Sequence, residues 1–392
     1  MITPIYPGRG EKSTYTPVVH YFVREWAKND INVRVINVPS NFPWLFYQLI
    51  RPFRNIIASR DGHDVRTWKL KEEEFMLDGV RVFRYPLFKF FPHSRFNNKE
   101  IQKAVNKIIS YCESNRFIPN IIVAHWPRPS LDIMHHLKSY YKVPTCYVMH
   151  GASESTYSDE IAAYINETDL IGYRSDAIRR VAERVYNCGD KHHFLCNSGL
   201  PARYIENINR FITSRNRLIF VGTLIARKYP SSLVYAANKA FGGEDFTLTY
   251  IGDGAEKKNI INEAERLGIT DHIKFLGHVT REEVILQLDE HPIFVMISKK
   301  ETFGLVYLEA MARGCITIAS RNEGFDGIIE DGVNGFLCEA GNASELAEIL
   351  IRIKLLPSKD LQTISECAIK TAQELTDEKV AKVYLNQLVS LL

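Results

Sequence analysis

The chain has 392 residues, 45% of them hydrophobic and 24% charged. This composition excludes a disordered chain and leaves room for two or three domains. Seven cysteines without a C-x-x-C pair argue against a disulfide framework. The longest apolar runs fall short of the ~18 residues of a membrane span, and no secretory signal pattern opens the chain, so a soluble cytoplasmic protein is expected.

Residues 1–8, MITPIYPG, read as the end of a first strand and its loop without the strand itself. Either that strand is missing from the chain or the numbered start is an internal methionine. Strands are then predicted at 31–38, 121–124 and 143–149, with helices at 101–114 and 129–140 between them. The rhythm repeats in the second half. Strands are predicted at 217–221, 247–251, 273–276, 293–297 and 316–319, separated by helices at 231–241, 256–267, 281–290 and 305–313. Residues 354–392 read as helix with one proline break. Strand–helix alternation predicts an α/β fold with parallel sheets covered on both faces. Two such series predict two doubly wound, Rossmann-like domains, 1–200 and 201–376, with a ligand in the interdomain cleft at the carboxyl ends of the strands. Pro, Asn and Arg interrupt the pattern at 199–212, where the boundary is placed.

The charge is uneven. Residues 1–150 carry 22 Lys and Arg against 12 Asp and Glu, and the remainder carry 27 against 34. A basic first third suits a surface that meets phosphate, anionic lipid or nucleic acid.

The most informative run is SKKETFGLVYLEAMARG, residues 298–314. Glu301 precedes a predicted helix and Glu309 lies inside it. Gly304 lets a ligand approach the backbone closely. The main-chain amides of Phe303, Gly304, Leu305 and Val306 would form an anion site at the helix start. A sugar nucleotide fits between the carboxylates. Glu301 would take sugar hydroxyls, the helix end the diphosphate, and Glu309 both ribose hydroxyls.

With its E-x7-E pair, the intervening F-G-L and the following E-A-M-A-x-G, the sequence resembles glycosyltransferase family 4, the retaining group 1 transferases of GT-B fold. Further matches occur in the same order: FVGTLIARK at 220–228, IGDG at 251–254, FLGHV at 275–279 and EDGVNGFL at 330–337. The resemblance implies that Gly222, Lys228, Gly277 and Val279 join the donor site. The family usually has Arg where Thr223 stands, and Arg227 is the substitute at hand, approaching from another direction. In the first half, His150-Gly151 and His125-Trp126 resemble strand-end patterns of the family. They imply that His150 lies near the transferred sugar and that His125 joins it on the acceptor side. Gly8, Arg9 and Gly10 fill the first strand–helix loop, with Gly8 assigned to the donor and Arg9, Gly10 and Lys12 to the acceptor. The resemblance also implies that residues 377–392 form a helix crossing back to the first domain.

Cys188, His192, His193 and Cys196 invite a zinc reading, but their spacing does not match the usual ligand pairs. They are expected to be ordinary core or loop residues. Two aromatic runs with scattered basic heads, 41–57 and 83–91, suit a membrane interface or a lid packed on the domain.

These features and the resemblance together predict a metal-independent transfer of a sugar from a UDP-sugar, or less readily a GDP-sugar, to a glycan or lipid-linked acceptor, and the resemblance implies that it retains anomeric configuration. Capsule or lipopolysaccharide synthesis is the expected setting, with the chain peripheral at the cytoplasmic membrane face. Lys228, Glu301 and His150 would be catalytic, with no cofactor beyond the nucleotide sugar. An epimerase of the same architecture and a non-catalytic partner protein stay open as alternatives. Nucleic-acid binding lacks a recognition module.

Overall fold

A computed structural model describes residues 1–8, 17–50, 66, 68–91, 94–206, 208 and 214–392. The described residues divide into two compact units. One runs from Met1 to Gly199 and includes Asp377–Leu392; the other is Leu200–Thr376.

In the first unit the strands are β1 (Ile2–Thr3), β2 (Arg34–Asn37), β3 (Ser40–Asn41), β4 (Glu73–Leu77), β5 (Val80–Arg84), β6 (Leu87–Phe88), β7 (Ile122–His125), β8 (Thr145–Met149), β9 (Leu170–Tyr173) and β10 (His193–Leu195). Among the described residues, eight of them form one sheet in the order β10-β9-β8-β7-β1-β2-β5-β4, and β3 pairs with β6. β7, β8 and β9 are buried along their whole length, as expected of parallel strands covered on both faces. Only β4 runs antiparallel, against β5. Its hairpin turns on Asp78 and Gly79, both at positive φ, the backbone geometry that matches strand twist in a two-residue turn.

Residues 1–8, read as a strand end and its loop, supply a two-residue strand followed by a loop. Ile2 pairs with Ile36 on one side and Ala124 on the other, so β1 holds the centre of the sheet with only two residues.

The second unit contains β11 (Arg217–Val221), β12 (Thr247–Ile251), β13 (Ile273–Gly277), β14 (Ile293–Val295), β15 (Ile316–Ser320) and β16 (Phe336–Cys338). They form a parallel sheet in the order β13-β12-β11-β14-β15-β16. Helices Pro230–Phe241, Lys257–Leu267, Arg281–Glu290, Leu305–Ala312, Ala343–Leu355 and Ser358–Gln373 connect and cover it. Sequence periodicity places β11, β12 and helix Arg281–Glu290 at their observed bounds. The last helix-rich stretch has two breaks, not one. Pro357 supplies the first. At the second, Leu375 O accepts from Leu200 N and Thr376 bridges Leu200, which holds the chain extended.

Helix Asp377–Val389 packs on helix Val18–Lys28. Trp26 Nε1 donates to Ala381 O at 2.8 Å, Arg24 pairs with Asp377 at 3.0 Å, and the Tyr384 ring meets Phe22 and Trp26 edge-on.

Candidate active site

In the second unit, the loop after β11 carries the cations. Lys228 closes a single helical turn, Ala226–Lys228. A Cβ built on Gly222 would lie 2.7 Å from Lys228 Nζ, so the ammonium is folded over the glycine backbone. Burial pushes the Lys228 pKa down, and the Glu301 carboxylate opposes that shift. A desolvated cation of this kind interacts strongly with any anion brought to it. Arg227 lies 3.6 Å from Glu301 Oε2 and is partly exposed. The two loops are tied together where Lys299 N donates to Arg227 O at 2.7 Å. Thr223, standing where the resemblance expects Arg, is partly buried and accepts from Ile225 N.

Glu301 is oriented by its own surroundings. Ser298 Oγ donates to Oε2 at 3.3 Å, and the Glu301 amide donates to Glu323 Oε2 at 2.9 Å. Tyr307 backs the arrangement: its hydroxyl donates to Met296 O at 2.7 Å and lies 2.9 Å from Ser298 Oγ. Gly304, at φ +84°, starts helix Leu305–Ala312, and a Cβ there would sit 2.4 Å from the Tyr307 ring. Only glycine meets both demands. The Tyr307 amide donates to Gly304 O at 3.0 Å, whereas the Leu305 and Val306 amides come too early in the helix to have an i−4 acceptor within it. Phe303 is buried, edge-on to Phe325, so its main chain rather than its side chain can serve a ligand.

Glu309 lies inside the same helix and is buried. Arg281 Nε donates to its Oε1 at 2.6 Å. Burial raises the Glu309 pKa and Arg281 holds it back. Gly277 and Val279 lie at the carboxyl end of β13; Gly277 O accepts from Gly252 N at 2.7 Å, and Val279 packs on the core. Sequence reasoning missed Arg281, Glu323 and the backing role of Tyr307. Arg281 follows Val279 by two residues, but nothing in its neighbourhood points to a partner 28 positions away.

In the first unit, His150 follows β8 and the Trp126 ring stacks on it at 3.7 Å. His125 Nδ1 lies 2.8 Å from His150 Nε2, and His125 Nε2 lies 3.2 Å from the Tyr384 hydroxyl. Burial drives both imidazole pKa values well below the usual range, so both rings are neutral at pH 7. His125, expected as an acceptor contact, is fully buried behind His150. It can act on a ligand only through His150. Gly8 is buried; Arg9, Gly10 and Lys12 lie outside the described residues.

The two aromatic runs divide. Phe83 and Leu87 are core residues, whereas Phe90, Phe91, Trp44, Leu45 and Leu49 are exposed. The register Asn41–Phe88 in the β3–β6 pair joins the two runs. Residues 51–57 lie outside the described ones. The Cys188–Cys196 run serves other partners. Cys188 Sγ meets the Tyr173 hydroxyl at 3.4 Å, Cys196 lies against Arg174, and His193 Nδ1 lies 3.1 Å from Lys191 O.

Residues 203–371 match the family model described as glycosyl transferases group 1. N-acetyl-alpha-D-glucosaminyl L-malate synthase of Bacillus anthracis is 32% identical over 324 residues, 78% of this chain and 81% of that one. The chain belongs to the group 1 glycosyltransferases. The lipopolysaccharide core biosynthesis glycosyltransferase LpsE of Rhizobium meliloti is also similar to this glycosyltransferase, at 25% identity over 76% of this chain and 84% of that one. Among solved structures, Anabaena HepE in complex with UDP superposes with a TM-score of 0.69 at 16% identity, covering 100% of this chain and 99% of that one. At that identity the likeness speaks for the GT-B fold. Among the described residues of this glycosyltransferase, no helix is long and apolar enough to cross a membrane.

Proposed function

We propose that this glycosyltransferase moves a sugar from a UDP-sugar to a glycan or lipid-linked acceptor, with retention of anomeric configuration and without a metal ion. The observation that carries the reading is the convergence of Lys228, Arg227 and Glu301 beside the start of helix Leu305–Ala312.

The bond that breaks joins the anomeric carbon to the β-phosphate oxygen. As it lengthens, negative charge gathers on the diphosphate and positive charge on the sugar ring. The enzyme's largest lever is electrostatic stabilisation already in place where that charge develops. Lys228 and Arg227 would neutralise the phosphate oxygens together with the first-turn amides of helix Leu305–Ala312. These side-chain cations are the reason for proposing a metal-free reaction. Glu301, held by Ser298, would accept from the sugar hydroxyls and orient the ring. The acceptor hydroxyl would attack the face from which the diphosphate departs. Its proton would pass to the leaving phosphate oxygen, so no dedicated base is required. His150 would take its place as a neutral hydrogen-bonding group, since its imidazole does not charge at pH 7. Gly8 would border the donor, and Arg9, Gly10 and Lys12 the acceptor.

UDP is favoured because Anabaena HepE is solved with UDP and with UDP-glucose. A cell-surface polysaccharide or lipopolysaccharide acceptor follows from the biosynthetic role in the name of LpsE. Exposed Trp44, Leu45, Leu49, Phe90 and Phe91 support contact with the inner leaflet at the cytoplasmic face, where aromatic side chains settle at the headgroup level.

The test is calorimetric titration with UDP, GDP and ADP in the presence of EDTA. Slow release of UDP from UDP-glucose, UDP-galactose and UDP-N-acetylglucosamine is then followed without an acceptor. Selective UDP binding with chelator present supports the reading. Binding that needs a divalent cation, or that prefers GDP or ADP, overturns the corresponding part of it.

A further inference from the structure

Glu309 is a buried carboxylate with one arm already engaged. Its Oε1 accepts from Arg281 Nε at 2.6 Å, while Oε2 accepts no hydrogen bond from any described residue. Arg281 is itself held from two sides. It is the first residue of helix Arg281–Glu290, whose start is fixed by a reciprocal cap between Thr280 and Glu283. Its guanidinium also lies over the Tyr204 ring, 5.0 Å from the centroid. Tyr204 is anchored in turn: Arg313 Nη1 donates to its carbonyl at 3.0 Å, and its hydroxyl lies 3.4 Å from Glu282. A planar cation stacked on an aromatic ring and fixed at its backbone has few other positions to adopt.

We propose that Arg281 is the positioning residue for ribose recognition, fixing Oε1 of Glu309 and presenting Oε2 to the ribose hydroxyls of the nucleoside diphosphate. The inference rests on the ribose role of Glu309. Without the guanidinium, a carboxylate on a buried helix face would turn or take up a proton, because burial alone disfavours its charge. A protonated or rotated carboxyl loses the charge-assisted hydrogen bond that separates ribose from deoxyribose. Arg281 thus acts on specificity for the sugar of the nucleotide rather than on the chemical step.

The experiment compares the Kd values of UDP and 2′-deoxy-UDP for the wild-type chain and for Glu309→Gln, Arg281→Ala and Arg281→Lys. The wild type is expected to prefer UDP by about tenfold or more, the span of one hydrogen bond to a charged group. Glu309→Gln should abolish most of that preference. Arg281→Ala should do the same, weakening UDP more than 2′-deoxy-UDP, since the 3′-hydroxyl contact suffers in both ligands and the 2′-hydroxyl contact in UDP alone. Arg281→Lys, which keeps the charge but not the planar fork, should fall between. A fold merely loosened by the substitution would weaken both ligands together and leave the ratio intact. An unchanged ratio in the Arg281 variants, with the ratio lost in Glu309→Gln, overturns this inference alone. An unchanged ratio in Glu309→Gln overturns the ribose role and the inference with it. Should Arg281→Ala fail to fold, Arg281→Lys decides: a ratio equal to wild type counts against the proposal, and a reduced one supports it.

Discussion

His125 and His150 share a single hydrogen bond, Nδ1 to Nε2 at 2.8 Å, between two imidazoles that burial keeps neutral. One proton serves that bond, so the tautomer of one ring dictates the tautomer of the other. Trp126 stacks on His150, and Tyr384 reaches His125 Nε2 from the terminal helix of the same unit. The pair is therefore set by a residue 259 positions away in sequence.

Tyr384→Phe removes the outer partner of that chain while keeping the ring packed on Phe22 and Trp26. Leaving a buried polar atom unpaired costs about 1–3 kcal/mol. Urea unfolding at neutral pH should show a loss of that size. A midpoint equal to wild type would mean that His125 does not depend on the hydroxyl.

The same histidines make stability fall with acid. Their folded pKa values lie well below the ordinary 6.5, so the unfolded chain takes up protons first. The stabilisation is fully present above pH 6.5 and is lost as pH falls below it. Between pH 7.5 and 5.5 each ring that stays neutral costs about 1.4 kcal/mol. Asp132, raised to about 6 by burial, works in the opposite direction, so the comparison needs a variant. His125→Gln should show a smaller pH-dependent loss in denaturant titrations than wild type. Parallel pH profiles for the two proteins would contradict the assignment.

Removing Lys228 should be costly in rate and cheap in fold. Lys228→Ala is expected to lower transfer about 10²- to 10³-fold, as losing one preorganised electrostatic group does. Far-ultraviolet circular dichroism should be unchanged. Arg227→Ala should cost less, because its guanidinium is partly exposed and screened. Steady-state rates with a UDP-sugar would reveal a reversed order, and that order would shift the leaving-group role to Arg227.

Gly304→Ala tests the helix start. The new methyl would require a left-handed backbone from alanine and would press on the Tyr307 ring. Strain at such a position costs of order 1–3 kcal/mol. Thermal unfolding should show the loss, and UDP affinity should drop with it. Unchanged affinity would separate the helix start from the diphosphate.

The alternation of short strands and amphipathic helices was legible because parallel strands buried on both faces are short runs rich in β-branched and other apolar residues. Such runs mark β11 and β12 in the sequence at their observed bounds. That Glu301, Gly304 and Glu309 share one loop and one helix was legible because the placement is local. The central place of β1 in its sheet was not legible, since its two residues gain it only from neighbours at Ile36 and Ala124.

What the sequence determined by itself was therefore the α/β class, the order of the elements and the identity of the local motif residues, all set by short-range periodicity and spacing. Only tertiary structure decided that Arg281 pairs with Glu309, that Glu323 accepts from the Glu301 amide, and that His125 sits behind His150 against Tyr384. These groups meet across tens to hundreds of positions. A side chain's partner at such separation depends on which elements pack together, and no local pattern encodes that.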